Sequence, residues 1–486
     1  MTLAYAADRV APARRAAAVG AAMFVASMAA AAAAGGSLLP AVLVVTLLAA
    51  VGLLVAPRAG VVALLVVTVM VLPQRFLPLE MAGFRTDLPE LLMIGLFGTW
   101  LVLAVVTSGP QVAERRRLSP SPFTGPLLLL AAAAAVGSVV GVVGGATRSD
   151  ILGTLKTYGF WLLPLPLAWF VFSRSDLEWL ERWLFRLATT GGIITLAMAA
   201  TGVATAADGG GTVVTLQTAA EAQRIRPPVQ QLLFLTTLLM VHRMSQRGAR
   251  PVWVAQLALF LVVQTLSFNR STWAALALCV GALVVLRPGT RVPLEMLRVG
   301  VVLFAAGGSA YALSAMGALG PTAEAIAVRA SSLAQPEVLG ERSLSDRVNE
   351  NEAALRTLRE RPLTGVGLGQ PYGARRGLWS AAAGRVVYFD RLFIHNSFLG
   401  AWLHLGLAGV AAFAWLAVAI ARRTWQAVRG LKAPDGGRAL AAALGVFGMG
   451  LQAAVQTKLY HRPTIVVVAL ALTFLSVASR PDAVAT

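Results

Sequence analysis

Long apolar segments repeat along the whole sequence, and they constrain its fold more than any other feature. A helix needs about 20 mostly apolar residues to cross a bilayer. Fourteen segments meet or approach this length: 16–35, 38–56, 59–73, 89–107, 124–145, 157–173, 184–205, 229–245, 251–268, 272–286, 298–318, 396–420, 439–456 and 464–479. Charged residues make up only 13% of the chain, against about a quarter in soluble domains. The sequence therefore excludes a soluble enzyme and predicts an all-α polytopic membrane protein with about 12–14 transmembrane helices.

The distribution of arginine predicts the orientation of these spans. Short cytoplasmic loops of membrane proteins carry an excess of basic residues. If the N-terminus is cytoplasmic and the spans alternate, every short inner loop is basic. These loops contain Arg58, Arg115–Arg117, Arg174–Arg186, Arg243–Arg250, Arg287–Arg298 and Arg422–Arg438. The net charge of +19 is therefore attributed to membrane topology, with no nucleic-acid partner, and both termini are expected in the cytoplasm.

Hydrophobicity divides the chain into four predicted parts. Residues 1–57 form an N-terminal membrane extension of two helices, and 58–318 form a transmembrane core. Residues 319–395 are the one long hydrophilic stretch, which alternation places outside the cell as a loop domain containing short helices. Residues 396–486 form the C-terminal transmembrane helices. We expect chemistry where the outer loop meets the spans.

A helix is predicted in the outer loop, beginning after Ser345 as N-cap. Acidic residues are concentrated near its start and arginines near its end, as the helix dipole favours. Val348, Leu355 and Leu358 predict a sparse apolar stripe that faces the membrane-side core. Arg347 lies next to this stripe and is therefore the arginine expected to point inward.

Two features follow this helix. The glycine-rich segment 362–369 is interpreted as a structural turn, because no strand precedes it and no Gly-Lys-Ser/Thr ending follows, as a phosphate-binding loop requires. His395 stands where the loop re-enters the membrane. A histidine can accept a proton near neutral pH, although an interfacial histidine bonded to the backbone is the alternative interpretation.

Four motifs occur in a fixed order: Arg270 within "SFNRS", Arg347 within the loop helix, then "RPLTGVGLG" and "HNSFLGAWLHLGLAG". This arrangement, over roughly residues 220–420, resembles the O-antigen ligase family, which shares a domain with some polysaccharide polymerases. The resemblance implies a type C glycosyltransferase fold in the bacterial plasma membrane. It also implies transfer of a glycan from an undecaprenyl-pyrophosphate carrier to an acceptor hydroxyl on the outer face, without a metal or other cofactor.

The resemblance also implies roles for individual residues. By position, Arg270 and Arg347 match the arginines that bind pyrophosphate, and His395 matches the histidine that acts on the acceptor. Further substrate contacts are predicted at Arg224, Arg226, Arg342 and Asn396. The pattern departs from the family in the "SFN" before Arg270 and in His404, where many relatives have an acidic or other polar residue.

The proposed chemistry suits these residue types. Arginine donates two parallel hydrogen bonds to phosphate oxygens and remains charged at any working pH, and a histidine within reach of the acceptor can serve as general base. A single displacement of this kind would invert the anomeric configuration. The acceptor, whether a glycan, a lipid or a cell-wall component, stays open. A polymerase of the same superfamily is the close alternative, and a transporter or flippase of lipid-linked glycans is the more distant one.

Overall fold

The computed structural model describes residues 56–69, 79–81, 84–106, 121–171, 174–200, 213–215, 223–225, 229–267, 269–286, 342–373, 376–380, 385–389, 392–429 and 434–478. Most of these residues are helical, as the sequence predicts. The helices are α1 (Pro57–Val69), α2 (Leu88–Val106), α3 (Thr124–Val143), α4 (Arg148–Phe160), α5 (Pro164–Phe170), α6 (Arg174–Ala200), α7 (Gln230–Arg247), α8 (Pro251–Leu266), α9 (Arg270–Val285), α10 (Arg342–Glu360), α11 (Ser397–Arg429), α12 (Pro434–Ala453) and α13 (Arg462–Ala478), with a 3₁₀ turn at Lys458–Tyr460.

The structure adds three short antiparallel hairpins that the all-α prediction did not contain. They pair β1 (Leu79–Met81) with β2 (Phe84–Thr86), β3 (Val213–Thr215) with β4 (Gln223–Ile225), and β5 (Arg376–Ser380) with β6 (Arg385–Phe389). The third hairpin lies within the predicted outer loop. Strands of three to five residues are too short to establish a convincing alternation of apolar and polar residues.

The apolar helices are those expected of a membrane protein. Helices α3 and α11 are long and apolar enough to cross a bilayer, and shorter apolar helices include α1, α8, α9 and much of α2 and α13. The predicted spans 16–35 and 298–318 lie outside the described residues, as does 38–56 apart from its last residue. The predicted span 157–173 is not one helix, because a turn at 161–163 separates α4 from α5. Pro164 begins α5, where its missing N–H costs no hydrogen bond.

The contacts divide the chain into two compact units. One unit contains α1, α2 and nearly all of α5, and the other contains the remaining helices with β3 to β6. All the predicted site residues that the structure describes belong to the second unit.

Helix α11 is interrupted at Gly406, which has φ 64° and ψ −162°. In a continuous helix the N–H of Leu407 would donate to the carbonyl of Leu403. Here it donates to the carbonyl of Leu363 at 2.9 Å, and the carbonyl of Leu403 accepts from the N–H of Val366 at 2.7 Å. The glycine-rich loop therefore completes the hydrogen bonding of the broken helix.

The same loop also packs against α3. The N–H of Leu368 donates to the carbonyl of Gly137 at 2.8 Å, and Gln370 Nε2 donates to the carbonyl of Gly141 at 3.2 Å. Residues 365–369 are buried. Irregular backbone within an apolar bundle is tolerated where protein groups satisfy it. The glycine-rich segment is thus a docked structural turn, as the sequence predicts.

Within the second unit, a cluster of ion pairs lies at the start of α12. Arg438 Nε lies 3.0 Å from Glu181 Oε2, and its Nη2 lies 3.6 Å from Glu178 Oε1. Arg243 Nη1, near the end of α7, lies 4.0 Å from Glu181 Oε1. These contacts bring together three segments that the basic-loop pattern assigns to the cytoplasmic side, although the membrane face on which they lie stays a prediction.

We expect Gly406→Ala to lower the thermal stability of the detergent-purified protein. The backbone conformation of Gly406 is essentially restricted to glycine and costs another residue about 1–3 kcal/mol, and the added Cβ would collide with the Leu363 carbonyl oxygen and Thr364 Cα. The matched control is Gly281→Ala in α9, where no atom lies within 4 Å of the new Cβ and helix propensity favours alanine. Equal melting temperatures for Gly406→Ala and wild type would contradict the docked-loop interpretation.

Candidate functional site

His395 lies just before α11, and its imidazole contacts a carboxylate of α10. Its Nδ1 is 2.7 Å from Glu350 Oε2. The Glu350 side chain is 7% exposed and the His395 side chain is 45% exposed. With Glu350 ionised, its carboxylate only accepts hydrogen bonds, so Nδ1 donates the hydrogen, and in the neutral form of the ring the lone pair is then on Nε2. The contact therefore orients the half-exposed imidazole.

Glu350 belongs to the inward face of α10. Ala354 and Leu358, which follow it at helical spacing, are fully or almost fully buried. They form one apolar cluster with Ile394 and Leu403, so α10 packs along the first half of α11. This packing is what brings Glu350 to His395.

The docked loop sets the position of this helix pair. Helix α10 ends at Glu360, immediately before the loop that docks at Gly406, and Trp402 Nε1 donates to the carbonyl of Pro362 at 2.7 Å. Ten helical residues span about 15 Å, which is the rise from Glu360 back to Glu350. The first part of α11, from its start to Gly406, has a similar length. Glu350 and His395 therefore lie at the same height along the two packed helices.

Arg347 lies one turn before Glu350 on α10 and is partly buried. Residues three apart share a helix face, so Arg347 lies on the same side of α10 as Glu350, and the inward direction of its side chain stays a prediction. The predicted apolar stripe is wrong for Val348 and Leu355, which are 49% and 41% exposed. A buried glutamate and an alanine define the real inward face, and hydropathy does not indicate either of them.

Arg270 is the first residue of α9 and is partly buried. The neighbouring Asn269 exchanges amide hydrogen bonds with Gln456: Gln456 Nε2 lies 2.7 Å from Asn269 Oδ1, and Asn269 Nδ2 lies 3.3 Å from Gln456 Oε1. The carbonyl of Gln456 accepts from Ser397 Oγ at 2.6 Å. Because Ser397 begins α11 two residues after His395, the structure brings Arg270 and His395 to the same end of the unit.

Asn396 caps helix α11. Its Oδ1 accepts hydrogen bonds from the backbone N–H groups of Phe398 and Leu399, at 3.1 and 3.2 Å. This is the geometry of an N-cap residue. The sequence predicts Asn396 as a substrate contact, and the structure gives its side-chain oxygen a structural function as well.

Of the three other predicted substrate contacts, the structure describes two. Arg224 lies in β4, where it pairs with Val214. Arg342 is the first residue of α10, which begins three residues before the predicted N-cap. Arg226 lies outside the described residues.

His404 is a buried histidine for which the sequence predicts no function. Its ring is 1% exposed, its Nε2 donates to the carbonyl of Leu392 at 2.8 Å, and its Nδ1 lies 3.2 Å from the hydroxyl of Tyr158. The hydroxyl of Tyr460 donates to the carbonyl of Ser397 at 3.0 Å. These bonds anchor the segments on both sides of His395.

Residues 255–414 match the O-antigen ligase family. This region covers about a third of the chain and includes α9, α10 and the broken half of α11. No curated protein matches the chain. The family match confirms the resemblance drawn from the motifs, and it contains Arg270, Arg347, Glu350 and His395.

We expect Asn396→Ala to destabilise the protein by about 1 kcal/mol, the typical value of an N-cap. Asn396→Ser should retain most of this stability, because a serine hydroxyl also accepts from the first-turn N–H groups. Thermal unfolding in detergent measures both effects. If Asn396→Ser were as unstable as Asn396→Ala, the cap would not be the main function of this side chain in folding.

Proposed function

We propose that this chain, with its O-antigen ligase match at residues 255–414, is a membrane glycosyltransferase. It transfers a glycan from undecaprenyl pyrophosphate to an acceptor hydroxyl at the outer face of the bacterial plasma membrane. The observation that carries the proposal is the 2.7 Å contact between His395 Nδ1 and Glu350 Oε2. A transporter or flippase would also need cations for the pyrophosphate, but it has no use for an oriented base.

In the proposed reaction His395 is the general base. Its Nε2 accepts the proton of the acceptor hydroxyl while the hydroxyl oxygen attacks the anomeric carbon of the donor sugar. The bond from that carbon to the pyrophosphate oxygen breaks, and undecaprenyl pyrophosphate leaves. Glu350, largely buried beside Nδ1, stabilises the imidazolium that forms, as the carboxylate of a catalytic triad does.

Arginines supply the second requirement of this reaction. The leaving pyrophosphate gains negative charge as the glycosidic bond breaks, and guanidinium groups in a low-dielectric site stabilise such charge strongly. Arg347 and Arg270 take this function in the proposal, with Arg224, Arg226 and Arg342 as further contacts along the donor. Cationic side chains thereby replace a metal ion, and the proposed mechanism uses no cofactor.

Ligation and polymerisation use the same donor chemistry and differ in the acceptor. A polymerase of this superfamily would extend a glycan that is itself carried on the lipid. Reconstitution in vesicles with a lipid-linked glycan donor distinguishes the two, since a ladder of lengthened lipid-linked products indicates a polymerase and a single addition to another acceptor indicates a ligase.

We expect His395→Ala to abolish transfer while donor binding remains, because the base is lost and the arginines are retained. Glu350→Gln should lower kcat strongly, within the roughly 10²- to 10⁴-fold contribution of a general base, with little change in donor KM. The measurement is initial rate against donor concentration in the vesicle assay.

The matched control for this experiment is Glu352→Gln, two residues further along α10 and exposed to solvent. It should retain wild-type kcat. Unchanged transfer by His395→Ala would remove the proposed base from the mechanism, and equal rates for Glu350→Gln and Glu352→Gln would remove Glu350.

Arg347→Lys tests whether a forked cation is needed. Lysine keeps the charge but loses the two parallel hydrogen bonds, so we expect a kcat reduction of about tenfold or more, the equivalent of about 1.4 kcal/mol. Arg359→Lys, at an exposed position of the same helix, serves as the control. Full activity of Arg347→Lys would show that charge alone suffices.

A further inference from the structure

A network of amide and hydroxyl side chains lies at the end of the helix bundle that carries Arg270. Gln452 Oε1, at the end of α12, accepts from Thr272 Oγ1 at 2.9 Å and from Gln231 Nε2 at 3.1 Å. Gln230 Nε2 donates to Ser267 Oγ at 2.9 Å. These side chains are almost completely buried, so the ends of α7, α8, α9 and α12 are held by directional bonds as well as by packing.

Gln456 extends this network toward α11. It lies four residues after Gln452, in the turn that follows α12, and its side chain forms the reciprocal amide pair with Asn269. Its Nε2 also donates to Ser271 Oγ at 2.5 Å. Arg270 stands between these two partners, so the side chain of Gln456 brackets the start of the helix that presents the arginine.

The main chain of Gln456 contacts the segment that contains His395. The Gln456 carbonyl accepts from Ser397 Oγ, and the same oxygen atom of Ser397 accepts from the N–H of Leu459 at 3.2 Å. Ser397 is fully buried and lies two residues after His395. One residue therefore contacts the segment of the arginine through its side chain and the segment of the histidine through its backbone.

We propose that Gln456 is a positioning residue that fixes Arg270 relative to His395. In this proposal the length of the Asn269–Gln456 amide pair sets the distance between the two segments. The inference rests on the proposed transfer reaction and goes beyond the family match, which ends at residue 414. The donor pyrophosphate and the acceptor hydroxyl must be held at one separation while the bond is exchanged. A displacement of about 1 Å at a reacting group can cost about 10²-fold in rate.

The test exploits the lengths of the two amide side chains. Asn269→Gln makes the pair one methylene longer, Gln456→Asn makes it one methylene shorter, and the double variant restores the summed length. Each single variant should lower kcat by about tenfold or more with a smaller change in donor KM, and the double variant should recover most of the loss. Gln426→Ala, at an exposed position of α11, is the control and should behave as wild type.

Thermal unfolding of every variant accompanies the kinetics. A rate that falls while the melting temperature stays near that of the control supports a positioning role, whereas rates that follow only the melting temperature overturn it. A double variant that is no better than the two singles also overturns it, since the pair would then not act as a unit.

A second readout separates this inference from the proposed function. Diethyl pyrocarbonate modifies accessible imidazole nitrogen, and mass spectrometry of the peptide containing His395 gives the rate without any glycan substrate. A changed length of the amide pair should displace the segment of His395 and so change this rate in both single variants, and the double variant should return it toward wild type. If wild-type protein transfers no glycan, the transferase proposal fails, and identical modification rates in all variants would then overturn the positioning role separately.

Discussion

The hydrogen bonds exchanged between the glycine-rich loop and the break in α11 are the interaction on which the rest of the site depends. Backbone groups inside an apolar bundle need partners, and at Gly406 the helix gives up one of its own bonds. The loop supplies the replacement through Leu363 and Val366. Because α10 ends just before this loop, the exchange fixes where the helix lies along α11 and hence where Glu350 reaches His395.

Buried polar side chains connect the helix ends around this centre. Buried amides and hydroxyls are costly without partners, and Gln452, Thr272 and Gln230 find theirs in one another. Such directional bonds select one arrangement of helix ends, which apolar packing alone specifies less sharply. A site that must hold an arginine and a histidine at a set separation benefits from this selectivity.

The chemistry proposed for the site divides between two kinds of group. Guanidinium groups stabilise charge that develops on a leaving pyrophosphate, and an imidazole oriented by a carboxylate removes the proton of the incoming hydroxyl. These groups come from different elements, since Arg270 begins α9 whereas Arg347 and Glu350 lie within α10. Their joint action requires the tertiary contacts that Gln456, Ser397 and the docked loop provide.

The sequence by itself determined the helical, membrane-type character of the chain, the family resemblance and the turn at 362–369. These properties depend on local composition, on helical periodicity and on the order of short motifs, all of which are written along the chain. It did not indicate the hairpins, whose strands are very short, or the inward face of α10, where Glu350 and Ala354 replace the expected Val348 and Leu355.

Only the tertiary structure decided that Glu350 is the partner of His395 and that Gln456 joins the segments of Arg270 and His395. The first pair is 45 residues apart and the second bridge joins Asn269 to a residue 187 positions away. No local pattern encodes such contacts, because they arise from the packing of helices whose neighbours are set by the whole fold. The sequence predicted the arginines and the histidine, and packing determined which further groups surround them.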